Sequence, residues 1–112
     1  MNQIARVVPV KSREALQQLC DEIRQKMPHE TQSFFNSFGT GYERWYFQEI
    51  DGKPFLISVT DSTNMSAGYD QYAHSSDPFF VWFSDRIKEI SDIDLRENPT
   101  GATSELMLEM SN

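Results

Sequence analysis

The segment GYDQYAHSSDPFFVWF, residues 68–83, gathers tyrosine, phenylalanine and tryptophan around His74, one of two histidines in the chain. Imidazole titrates nearest neutrality, so His74 could serve as a general base that takes a proton from an activated substrate carbon. Tyr69 and Tyr72 carry phenol hydroxyls that could position the polar substituents of such a substrate. The alternative is a histidine in a solvated loop, because no motif supplies it with a partner. Trp82 and Trp45 offer flat faces on which a ligand could stack, and the same rings serve equally as core or interface anchors. Arg44 stands between Glu43 and Trp45. On a covered sheet face it would bind a carboxylate ligand or pair with an acid such as Asp61, because a lone buried charge is costly.

Other chemistries lack their residues. His29 opens the run HETQS, which has no second histidine four positions on, so the HExxH zinc pattern is absent and the residue belongs to helix entry. Asp92 and Asp94 lack the remaining oxygen ligands and the glycine of a calcium loop. Cys20 is the single cysteine; it forms no disulfide framework and falls among apolar residues as a small hydrophobe. There is no GxSxG, no P-loop and no glycine-rich dinucleotide fingerprint. No metal and no cofactor is expected.

Charge narrows the partners. Seventeen acids against ten bases leave a net charge of −7, and the bases are scattered along the chain. Neutralising phosphates needs a clustered basic face, so neither nucleic acid nor an anionic membrane surface is an expected partner. The first ten residues, MNQIARVVPV, lack the apolar core of a secretory leader. A cytoplasmic protein is therefore expected. With 38% hydrophobic residues over 112 positions, the chain has the apolar content of one ordinary domain, residues 1–112.

The elements that must position these groups are legible from spacing. IARVVPV, residues 4–10, reads as a first strand, with Pro9 marking a sheet edge or the strand's end. Ser12 then caps a helix whose apolar residues Leu16, Leu19, Cys20, Ile23 and Met27 share one face, and Pro28 ends it. A shorter helix over 30–38 carries Phe34, Phe35 and Phe38, with Gly39 as its left-handed terminator. Asp77-Pro78 starts a third helix, aspartate as cap and proline in the first turn, with Phe79, Phe80, Phe83, Ile87 and Ile90 at helical spacing. In ATSELMLEM, residues 102–110, Leu106, Leu108 and Met110 alternate with glutamates, which predicts a closing strand.

Between the second and third helices lies the most informative pair of strands. Asp51-Gly52 is the residue pair a type I′ turn prefers, so YERWYFQEI and KPFLISVTD form a hairpin. A two-residue loop sets Trp45 opposite Ser58, Phe47 opposite Leu56 and Glu43 opposite Thr60 on one face. Tyr46 then meets Ile57, Arg44 meets Val59 and Gln48 meets Phe55 on the other. Both faces carry large apolar residues. The chain's own helices cover one, and a second subunit is the expected cover for the other.

The resulting order is β-α-(α)-β-β-α-β, an α+β chain of ferredoxin-like type with a four-stranded antiparallel sheet. The chain resembles the dimeric α/β-barrel superfamily, and within it an uncharacterised bacterial family. The matching features are His29-Glu30 after the first helix, FQEIDGKPFLI at 47–57 and the aromatic helix led by Asp77. The resemblance implies a homodimer through the sheet face. The superfamily includes cofactor-free monooxygenases, haem-degrading enzymes, lactone isomerases and stress-response barrels, so the fold does not select among them. Three functions follow as expectations. The chain binds a small apolar or aromatic molecule between sheet and helices, or it is a cofactor-independent monooxygenase- or isomerase-like enzyme using His74, or it is a structural or regulatory dimer without a ligand.

Overall fold

A computed structural model describes residues 2–62, 76–97 and 103–112. The order of elements is β1 (Asn2–Pro9), α1 (Arg13–Lys26), α2 (Gln32–Phe38), β2 (Thr40–Ile50), β3 (Lys53–Ser62) and α3 (Pro78–Ser91). The sheet is antiparallel in the order β1-β3-β2. None of the described helices is long and apolar enough to cross a membrane.

The hairpin turns as its residues require. Asp51 and Gly52 both take positive φ, 52° and 75°, as a type I′ turn demands. Every pairing expected from that turn is present, from Ile50 opposite Lys53 to Glu43 opposite Thr60. The ladder shifts only at its far end, between Thr40 and Tyr42. β3 pairs with β1 on its other side, so three rows line the inner face: Val8–Leu56–Phe47, Arg6–Ser58–Trp45 and Ile4–Thr60–Glu43.

Helix ends follow local chemistry. The Ala15 N–H donates to Ser12 Oγ at 3.0 Å, closing the start of α1. Gly39 ends α2 at φ 59°. The Phe79 and Phe80 N–H groups donate to Asp77 Oδ1 at 2.9 and 3.4 Å, and Ser33 of α2 donates to the other oxygen, Oδ2. Asp77 thus ties the start of α3 to α2 as well as capping it. α3 then turns Phe79, Phe80, Phe83, Ile87 and Ile90 onto the sheet, where they bury with Leu16, Leu19, Phe34, Val8 and Leu56. An Arg86–Glu22 ion pair at 2.7 Å joins α3 to α1 at the rim.

The described residues show part of the expected sheet. Residues 102–110 were expected to close the sheet as a fourth strand, yet among the described residues the sheet has three. Thr103 makes one bridge to Arg6, and the Ser104 N–H donates to the Ala5 carbonyl at 2.7 Å; beyond that the segment pairs with nothing described. Alternation specifies a strand but not which edge receives it. After α3, Ile93 and Leu95 pack against the core, while Asp94 Oδ1 accepts from the Arg96 and Glu97 N–H groups to fold the turn.

The outer sheet face carries Val7, Ile57 and Tyr46 in one row. Val7, Tyr46 and Ile50 there are 41%, 53% and 48% exposed. No described element covers them.

Asp77 gives the first test. The Ser33 hydrogen bond, then the bonds from Phe80 and Phe79, hold its carboxyl below the usual carboxylate range. A depressed folded pKa stabilises above the unfolded value of about 3.9 and is lost as pH falls through the folded value. Asp77→Ala should cost about 1 kcal/mol at pH 7. The gap from the parent should shrink toward pH 3, both read from urea denaturation midpoints.

Candidate functional site

Behind the sheet, the inner rows leave a small cavity of about 40 Å³ beneath Phe34, Phe83 and Ile87. A second, larger recess of about 220 Å³ adjoins it toward α1 and α2. Phe34, Phe83, Trp45 and Glu43 line both and form the partition between them. The rings there are in mutual contact, with Phe34–Phe83 centroids 5.6 Å apart and Trp45–Phe83 6.0 Å. The walls are aromatic because α2, α3 and β2 each turn an aromatic toward the same point.

Glu43 is the polar centre of this wall. Its Oε1 accepts from Trp45 Nε1 at 2.9 Å and from Ser58 Oγ at 3.3 Å. Glu43 and Trp45 are two apart on one strand and so share a face, while Ser58 stands opposite Trp45. These two donors fix the carboxylate plane. Among the described residues Oε2 accepts no hydrogen bond, which leaves one oxygen for a ligand. Ser58 and Thr60 are buried beside it. Arg6 lines the first recess and Arg24 the second. A carboxylate so held accepts from an ammonium, guanidinium or hydroxyl group, and the rings add apolar area and cation–π attraction.

The sequence-expected residues are dispersed. His74, Tyr69 and Tyr72 lie outside the described residues. Arg44 is exposed on the outer sheet face, its guanidinium 4.2 Å from the Tyr42 ring centroid. It is neither on a covered face nor paired with Asp61, and it is on the opposite side of the sheet from the recesses. Trp82 sits on α3 outside both recess walls, and Lys26 Nζ lies 4.6 Å over its ring. Its stacking face is therefore taken by the chain itself. Trp45 alone of the two tryptophans meets the recess. His29 is exposed beyond α1. Cys20 is half-buried, as its place on the α1 stripe implies, and burial pushes its thiol pKa up.

Glu43, Ser58 and Thr60 were not singled out by residue type. Their signal was the hairpin register itself, which set all three on the face with Trp45, Phe47 and Leu56. Polar residues on a face that helices must cover mark either a buried network or a binding wall. No family model, curated protein or solved structure matches the chain.

The wall makes its own stability prediction. Glu43→Ala strands the Trp45 and Ser58 donors and should cost about 1–3 kcal/mol. Glu43→Gln keeps an acceptor and should cost less than about 1 kcal/mol. Chemical denaturation of the two variants measures the difference.

Proposed function

We propose that this chain is a small-molecule-binding domain whose ligand lies between sheet and helices, with a cationic hydrogen-bond donor on Glu43 and an apolar body against Trp45, Phe34 and Phe83. The observation that carries it is the Glu43 carboxylate, oriented by two donors on one oxygen and open on the other, set in an aromatic wall. The larger recess, on the α1–α2 side of the partition, has the room for such a ligand. Arg24 borders that side but is already bound to Asp21 at 2.9 Å.

The setting we propose for this site is a ferredoxin-like domain that pairs with a second copy through the outer sheet face. The Arg6–Thr103 bridge supports the first part, because it brings the end of the second crossover to the outer edge of β1, where the fourth strand of that arrangement runs. The exposed Val7, Tyr46 and Ile50 support the second.

Three probes of matched shape test the site: benzylammonium, benzyl alcohol and benzoate. Benzylammonium should bind at least about tenfold more tightly than benzyl alcohol, the difference between a charge-assisted and a neutral hydrogen bond. Glu43→Gln should abolish that preference. Tightest binding by benzoate, or no binding by any probe in ligand-observed NMR, would overturn the proposal.

A further inference from the structure

Thr31 stands directly before α2, where a threonine ordinarily turns its hydroxyl oxygen onto the first N–H groups of the helix. It does not do so here. Its backbone is helical, at φ −92° and ψ −10°, rather than extended, and its side chain makes no cap bond. The hydroxyl instead donates backward to the Pro28 carbonyl at 3.2 Å. That bond uses its only proton, so what remains on Oγ1 is the capacity to accept. Among the described residues nothing donates to it. The residue is 3% exposed, and a polar atom so buried calls for a partner.

Thr31 and Glu43 line the same recess. Thr31 belongs to the link between α1 and α2 and Glu43 to β2, so they reach it from the helix layer and from the sheet. Glu43 is committed on one oxygen, to Trp45 and Ser58, and open on the other. Arg24, the charged donor in the wall, is 63% exposed and bound to Asp21. The remaining walls are rings, aliphatic groups and the sulfurs of Cys20 and Met27. The buried polar groups of the recess therefore both accept.

Two acceptors govern which cation fits. Aromatic walls attract any cation, a quaternary ammonium included. A quaternary ammonium has no N–H, however, and would cover Glu43 Oε2 and Thr31 Oγ1 without donating to either. A buried acceptor left unpaired is costly, and sites built to hydrogen-bond reject analogues that lack the group. We infer that the recess selects primary amines, with one N–H on Glu43 and a second on Thr31. Resting on the Glu43 reading above, this names the class of ligand: a primary ammonium joined to an apolar, flat body. Glu43 alone does not separate a primary from a tertiary ammonium, because the tertiary cation still has one N–H to give. Thr31 makes that distinction, because it takes the second.

Three probes share a benzyl body and a full positive charge. Benzylammonium has three N–H groups, N,N-dimethylbenzylammonium one and benzyltrimethylammonium none. Dissociation constants come from NMR titration of the full-length parent, Thr31→Val and Thr31→Ser, with far-UV circular dichroism as the check on folding. In the parent each step along the series should weaken binding about fivefold or more, the size of one hydrogen bond. Thr31→Val removes the acceptor with little change of shape. It should erase the first step, from the primary to the dimethyl probe, and keep the second, which belongs to Glu43. Thr31→Ser should restore the first step. A first step that survives in Thr31→Val arises from the bulk of the methyl groups and would overturn the role of Thr31. The parent series is decisive even if Thr31→Val fails to fold. Benzyltrimethylammonium binding as tightly as benzylammonium would overturn the selection and leave the cation site at Glu43 standing. No binding by benzylammonium would overturn both.

Discussion

Everything behind the sheet depends on a two-residue turn. Asp51 and Gly52 take positive φ, and this closes β2 against β3 in one register. A slip of one residue would exchange the faces of β2. Trp45, Phe47 and Glu43 would then face outward, with Arg44 and Tyr46 under the helices. The inner face as it stands combines a hydrophobic floor, Leu56 with Phe47, and a polar row, Ser58, Thr60 and Glu43. That mixture stays tolerable because Glu43 Oε1 satisfies both the Trp45 indole and the Ser58 hydroxyl. The same bonds that make the face foldable also aim the carboxylate. In the proposed site, stability and recognition share one residue.

The helix layer completes the site by aromatic size. α3 is anchored at its start by Asp77, which ties it to Ser33 of α2, and farther along by Arg86 on Glu22 of α1. Between these ties Phe79 and Phe83 meet Phe34 with centroids 5.6 Å away in both cases. Bulky rings stacked against one another hold the helices off the sheet, and recesses remain where no ring fills the space above Ser58 and Thr60. Smaller aliphatic residues would let the layers settle closer.

Much of this could be read in advance. Ser12, Gly39 and Asp77-Pro78 each mark a helix boundary through a specific backbone bond or torsion, so those ends fell where local chemistry put them. The hairpin register followed from turn geometry alone. Site residues are less legible, because a residue's type does not give its place in the packing. Arg44 and Trp82 drew attention as a charge and a large ring, but tertiary packing gave each an intramolecular partner, Tyr42 and Lys26 respectively. Glu43 is legible only through its pairing across the strand with Thr60. For residues 102–110 the alternation is a local property, and the one pairing the described residues show is the Thr103 bridge to Arg6.

The central claim is that Glu43 and Trp45 form the wall that reads a ligand. Its most direct measurement is the indole N–H region of a ¹⁵N–¹H correlation spectrum during titration with benzylammonium. The Trp45 indole donates to Glu43 and lines the recess, whereas Trp82 lies outside under Lys26. The account predicts a saturable shift of the Trp45 indole resonance with Trp82 unmoved. Movement of Trp82 alone, or of neither indole at saturating probe, would contradict it.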